Sequence, residues 1–123
     1  MITTRPAVRI YTCQPDLEVL SHICEGIEEE GVLYEVIPHE EGEILAIAEQ
    51  AAQDSILGSG IALYKKEAVL TMRGLPRSRP IADAWVETVA QARIIGANSA
   101  RLIQKKPLLE EMETGQNTKD SFV

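Results

Sequence analysis

The chain has 123 residues, of which 45% are hydrophobic, a size and composition typical of a single folded domain. Its formal net charge is −7, which argues against nucleic acid and anionic membrane surfaces as partners. No segment approaches the roughly 18 apolar residues of a membrane span and none resembles a signal peptide, so we expect a cytoplasmic protein. The two cysteines, Cys13 and Cys24, form no CxxC pair, and no structural zinc site is expected.

Hydrophobic periodicity predicts the order β-α-β-α-β-β-β-α. The predicted strands are residues 7–12, 32–38, 61–64, 68–72 and 80–85. The first predicted helix begins at residues 14–16 and ends before Gly31. The second covers residues 43–53 and the third covers 86–105. Near one side of the third lie Ala90, Ile94, Ala97 and Leu102. Two βα units indicate a mostly parallel sheet with helices on its faces. Strands 3 and 4 must be antiparallel, because a parallel return needs a dozen residues or more.

The run Gly26-Ile27-Glu28-Glu29-Glu30-Gly31 ends the first predicted helix. Three adjacent carboxylates there oppose the helix macrodipole, whose negative end lies at the C-terminus. A cation or a basic partner surface would explain the triplet, and a solvated acidic turn is the alternative. At about 100° per residue, Glu29 points almost directly away from the apolar stripe, so it is best placed to reach outside the domain. Gly31 is expected to adopt the left-handed conformation past the helix end.

Signals of catalysis are weak. His22 and His39 are the two histidines, and no nucleophile–base pair is evident. The glycines of 58–60 precede a strand, whereas a phosphate loop precedes a helix, so they indicate a flexible loop. The basic loop 73–79 and the acidic turn give the molecule opposite poles, which suits protein–protein docking, although ordinary surface charge has the same appearance.

Several sequence blocks carry a family resemblance. They are 26–31 (GIEEEG), His39 before an acidic helix start, the Ala-rich segment 46–52, Gly60-Ile61-Ala62, Leu75-Pro76 with Pro80, and 96–102 (GANSARL). Over about residues 7–107 the chain resembles the small subunit of the reactivating factor for coenzyme B12-dependent diol and glycerol dehydratases. Ala97 and Ser99 depart from that family's usual Gly-Asn-Asn-Ala-Ala-Arg-Leu block.

The resemblance implies a three-layer α/β/α fold like that of the diol dehydratase medium subunit, with a mixed five-stranded sheet in the order 2-1-3-4-5 and one antiparallel strand. It also implies the non-catalytic small subunit of an ATP-dependent, chaperone-like reactivase that frees inactivated dehydratase of damaged cobalamin by subunit exchange. The large partner subunit would carry the ATPase and bind ADP or ATP, in an assembly of two copies of each subunit. Glu29 would be supplied in trans to Mg²⁺ or Ca²⁺ at the interface, with Glu28, Glu30 and Arg101 also binding the partner.

Further expectations remain open. Residues 1–107 are predicted to form one α/β domain and residues 108–123 a polar tail. The client dehydratase acts on either glycerol or propanediol, and the complex lies either free in the cytoplasm or within a bacterial microcompartment. Two other functions fit the residues: a medium subunit or B12-binding accessory of the dehydratase itself, or a standalone flavodoxin-like regulatory domain.

Overall fold

The computed structural model describes residues 6–110. Its elements follow the predicted order, with bounds that differ from the predicted ones by a few residues. They are β1 (Ala7–Cys13), α1 (Leu17–Glu29), β2 (Leu33–Pro38), α2 (Ile44–Asp54), β3 (Ser59–Tyr64), β4 (Glu67–Met72), β5 (Ala82–Trp85) and α3 (Val89–Gln104). The predicted tail lies outside the described residues from 111 onward.

The five strands form one sheet in the order β2-β1-β3-β4-β5. Strands β2, β1 and β3 are parallel, and β4 runs antiparallel to both of its neighbours. Alternate residues of the strands face opposite layers. Helices α1 and α3 pack on one face around Ile10, Ile61 and Leu70, and α2 packs on the other against Tyr11 and Val69. The three-layer fold, the strand order and the single antiparallel strand are therefore confirmed.

The glycine-containing segment before β3 is not the flexible loop that the sequence suggested. Ser59 and Gly60 pair with β4, and only Gly58 remains in the turn, with a φ of +81°. A Cβ on Gly60 would lie 2.2 Å from the backbone nitrogen of Ala52. Gly60 is thus a strand residue whose missing side chain allows α2 to lie directly on the sheet.

The buried side of α3 differs in phase from the prediction. Thr88 caps the helix and forms a capping box with Gln91. Ala90 is exposed, and the residues that face the core are Ala92, Ile95, Gly96, Ala97, Ser99 and Ala100. Ala97 is buried and Leu102 packs against the core, as predicted, but Gly96 and Ser99 also lie on the buried side as small residues that carry little hydrophobic signal.

Two glycines set the distance between α1 and α3. A Cβ on Gly96 would lie 1.9 Å from the backbone oxygen of Ile23, and one on Gly26 would lie 2.1 Å from that of Arg93. Glycine is a poor helix former, so by propensity alone Gly96 would weaken the middle of α3. In the fold it is a contact point, and it brings the end of α3 beside the end of α1.

Candidate partner-binding site at the end of the first helix

Helix α1 begins and ends with well-defined caps. The side chain of Asp16 accepts a hydrogen bond of 3.0 Å from the backbone nitrogen of Val19. At the other end Glu30 is the capping residue, and Gly31 has a φ of +77°, the left-handed conformation predicted for it. No basic residue lies in the last turn. The acidic triplet therefore faces the negative end of the helix dipole without compensation from within the helix.

The first carboxylate of the triplet is engaged inside the chain. Glu28 is exposed, and its Oε2 accepts a hydrogen bond of 3.0 Å from the hydroxyl of Tyr34 on β2. Burial and this bond to the carboxylate raise the pKa of Tyr34 to about 12. At neutral pH the phenol is therefore a stable donor, and it ties Glu28 to the edge strand.

The third carboxylate is held still more firmly. Oε2 of Glu30 accepts from Nε of Arg101 at 3.1 Å, and Oε1 lies 3.7 Å from Nζ of Lys106. The backbone oxygen of Glu30 accepts from Nε2 of Gln104 at 2.9 Å. Only 13% of the Glu30 side chain is exposed. The two blocks GIEEEG and GANSARL, far apart in sequence, thus meet at the crossing of α1 and α3.

The middle carboxylate is the free one. Glu29 is exposed, as helical geometry predicted, and its carboxylate makes no hydrogen bond or ion pair in the described part of the chain. Its neighbours on both sides are anchored. The end of α1 therefore presents one unpaired carboxylate on a supported backbone.

A hard cation such as Mg²⁺ or Ca²⁺ prefers oxygen ligands of this kind, but needs six or more of them. Between residues 6 and 110 no group of three acidic, histidine or cysteine side chains could hold a metal ion. The described residues therefore hold no complete cation site, and the rest of a coordination shell around Glu29 would have to come from elsewhere.

Both histidines are hydrogen-bonded to neighbouring residues. Nδ1 of His22 lies 2.8 Å from Oε1 of Glu25, and the same oxygen accepts from Arg93. His39 stacks on Tyr11 with ring centroids 5.0 Å apart. Its Nδ1 lies 2.8 Å from the backbone oxygen of Glu40. In the part of the chain that the structure describes, neither histidine is hydrogen-bonded to a serine, threonine or cysteine that could act as a nucleophile.

The basic loop is partly neutralised. Nη2 of Arg73 donates to the backbone oxygens of Gln53 and Ser55, which ties the loop to the end of α2. Nη2 of Arg77 lies 2.8 Å from Oε1 of Glu49 in the same helix. These arginines hold the loop against the domain, which weakens the case for a basic docking pole.

Sequence reasoning missed two supports of the acidic turn, Tyr34 and Gln104, and also the contact that Asn98 makes after the end of α3. Asn98 exchanges two hydrogen bonds with the backbone of Leu109, at 3.0 and 2.7 Å. The spacing of Asn98 and Arg101, three residues apart and so on one face of α3, is a signal that could have linked them.

No helix in the described range 6–110 combines the length and the apolar character that crossing a bilayer requires.

Comparisons with known proteins agree with this architecture. The family model of the dehydratase medium subunit matches residues 5–109. The chain is 34% identical over 103 residues to the propanediol dehydratase-reactivating factor small subunit of Salmonella typhimurium, covering 83% of this chain and 89% of that protein. It is 37% identical over 114 residues to the diol dehydratase-reactivating factor small subunit of Klebsiella michiganensis, covering 90% and 91% respectively.

Two solved structures share the fold. One is diol dehydratase-reactivating factor complexed with ADP and Mg²⁺, with a TM-score of 0.81, 30% identity, and coverage of 87% of this chain and 100% of that one. The other is a glycerol dehydratase reactivase, with a TM-score of 0.81, 32% identity, and coverage of 86% and 98%. The chain therefore belongs to the dehydratase medium subunit family, and within it to the small subunits of diol and glycerol dehydratase-reactivating factors.

Proposed function

We propose that the chain is the non-catalytic small subunit of an ATP-dependent reactivase that releases damaged cobalamin from inactivated diol or glycerol dehydratase. The similarity extends over nearly the whole length of relatives that carry the reactivating-factor name. A small subunit implies a larger partner, and we assign the ATPase and the binding of ADP or ATP to that partner. This chain contributes a docking surface.

The free carboxylate of Glu29 carries the proposal. It is the one carboxylate of the acidic triplet without a hydrogen bond or ion pair within the described residues, and it lies on a helix end that Glu30 and Arg101 support. In the proposed assembly Glu29 supplies one oxygen to a Mg²⁺ or Ca²⁺ ion whose other ligands belong to the large subunit and its nucleotide. A related structure was determined with ADP and Mg²⁺, which supports this choice of ligands. Glu28, Glu30 and Arg101 surround that contact.

A shared fold supports the proposal of subunit exchange. The family is named for the dehydratase medium subunit, and a small subunit of the same shape can leave its own large subunit and open a surface that fits the dehydratase. The large subunit then competes for the dehydratase subunits, the cobalamin site opens, and damaged cobalamin departs. We expect two copies of each subunit in the resting complex, in the cytoplasm or within a microcompartment.

A pull-down tests this proposal. The tagged full-length chain is exposed to native cell extract with Mg²⁺ and ADP, and in parallel with Mg²⁺ and ATP. We expect recovery of a large ATPase subunit in ADP and its release in ATP. Recovery of no ATPase in either nucleotide would contradict the proposal and favour a standalone flavodoxin-like regulatory domain.

One observation favours a second function. Because the matching family model is that of the dehydratase medium subunit, the chain could instead be a subunit or B12-binding accessory of the dehydratase. Absorbance titration with adenosylcobalamin separates the two. Binding by the chain, together with recovery of dehydratase subunits in place of an ATPase, would support the second function.

A further inference from the structure

The chain turns back on itself after α3. Lys105 has a φ of +59°, and the backbone nitrogen of Lys106 donates to the oxygen of Arg101 at 3.0 Å, while that of Lys105 donates to Leu102 at 3.3 Å. This pair of bonds is a Schellman motif with lysine in the place of the usual glycine. Residues 105–109, here called the strap, then run back along α3.

Asn98 fastens the far end of the strap. Its amide nitrogen donates to the backbone oxygen of Leu109 at 3.0 Å, and its amide oxygen accepts from the backbone nitrogen of the same residue at 2.7 Å. Asn98 is half-buried. Both the amide nitrogen and the amide oxygen of Asn98 therefore bind the strap, which has no regular secondary structure of its own.

Arg101 joins the strap to the acidic turn. Its Nη1 donates to the backbone oxygen of Pro107 at 2.9 Å, and its Nε donates to Oε2 of Glu30 at 3.1 Å. Lys106, also in the strap, reaches the other carboxylate oxygen of Glu30. Strap, α3 and the end of α1 thus form one connected network.

We infer that Asn98 and Arg101 are positioning residues for Glu29, acting through the strap and Glu30. The inference rests on the proposed function. Two nitrogens of Arg101 are hydrogen-bonded within the chain. We therefore expect Arg101 to affect partner binding indirectly, through its contact with Glu30. Freeing the strap would remove Lys106 and one support of Arg101 from Glu30, and the last turn of α1 would fray. The Glu29 carboxylate would then adopt many orientations and would no longer be a preorganised ligand.

Hydrogen–deuterium exchange on the full chain without partner tests the network directly. Asn98→Ala and Arg101→Lys are compared with Arg93→Lys, a matched change in an α3 arginine that contacts α1 at Glu25, away from the acidic turn. Alanine is a better helix former than asparagine, so α3 itself is not weakened by the first change. We expect exchange of amides 28–32 to be about fivefold faster in the two test variants and unchanged in Arg93→Lys. Exchange equal to that of the unmodified chain in both test variants would overturn the inference.

Binding to the large subunit separates positioning from general stability. The affinity of each variant is measured with ADP in Mg²⁺ and again in EDTA. We expect Asn98→Ala to reduce the ratio of these affinities about fivefold while the affinity in EDTA stays the same, and to add nothing when combined with Glu29→Gln. An equal loss in Mg²⁺ and EDTA would show a merely structural role. If the unmodified chain shows no cation-dependent affinity, the proposed function fails, and the exchange experiment still decides the role of the strap.

Discussion

Replacing Gly96 by alanine tests the helix crossing that brings the acidic turn and α3 together. The added Cβ would lie 1.9 Å from the backbone oxygen of Ile23, whereas Cβ atoms essentially never approach closer than 3.0 Å. The obstructing atom is backbone, so no rotamer change removes the clash. Helices α1 and α3 must therefore separate by about 1 Å, and a gap of that size forfeits up to half of the dispersion energy of the contacting atoms.

The magnitude follows from two opposing effects. Overpacking of a well-packed core costs about 1–3 kcal/mol, and a backbone clash this short belongs at the upper end of that range. Alanine in place of glycine returns about 1 kcal/mol of helix propensity. We expect a net loss of about 2 kcal/mol in the free energy of unfolding, which lowers the urea midpoint by about 1 M.

Urea unfolding followed by far-UV circular dichroism measures this loss. Gly42→Ala is the matched control, because the nearest atom to its added Cβ is Cδ1 of Ile47 at 3.6 Å and the position needs no positive φ. That variant should match or slightly exceed the unmodified stability. A Gly96→Ala variant as stable as the Gly42→Ala control would refute the close crossing.

Three further predictions concern single side chains. Lys105→Gly removes a lysine from the left-handed backbone conformation and should raise the free energy of unfolding by about 0.5–1 kcal/mol. The melting temperature should therefore rise, and an unchanged or lower melting temperature would contradict that conformation. Burial raises the pKa of Cys24, so at pH 8 a smaller fraction of this thiol is ionised than in an exposed cysteine. Iodoacetamide should therefore modify the half-buried Cys13 first. Equal modification rates of the two cysteines in mass spectrometry would be inconsistent with the buried position of Cys24. Burial and a hydrogen bond with Asp83 raise the pKa of Glu67, so the folded state binds its proton more tightly than the unfolded chain and this carboxyl destabilises the fold as the pH rises above about 4.5. Glu67→Gln should therefore raise the melting temperature at pH 7 and not at pH 4, and an equal gain at both values would argue against the shift.

Much of the fold could be predicted because its signals are local. Strand patterns predicted all five strands, and the short predicted turn at 65–67 required β4 to be antiparallel, as it is. The packing phase of α3 could not be predicted in the same way. Gly96 and Ser99 contribute to its buried face because they are small, and hydrophobic periodicity gives small residues little weight.

In the candidate site, too, local features could be predicted and tertiary contacts could not. The outward direction of Glu29 follows from the 100° step of a helix and needs no tertiary information, and its exposure confirms it. The ion pair between Glu30 and Arg101 joins residues 71 positions apart. It exists because Gly26 and Gly96 allow α1 and α3 to cross closely, which only the assembled fold reveals. The role of Glu29 toward a partner remains a prediction.

Isothermal titration of the large ATPase subunit with Glu29→Gln tests the central claim most directly. Each titration is run with ADP in Mg²⁺ and repeated in EDTA, and Glu18→Gln, an exposed glutamate at the opposite end of the same helix, is the control. We predict that Glu29→Gln loses about tenfold in affinity in Mg²⁺ and nothing in EDTA, while Glu18→Gln behaves as the unmodified chain. Unchanged affinity of Glu29→Gln in Mg²⁺ would contradict the claim and leave Glu29 as an ordinary solvated carboxylate.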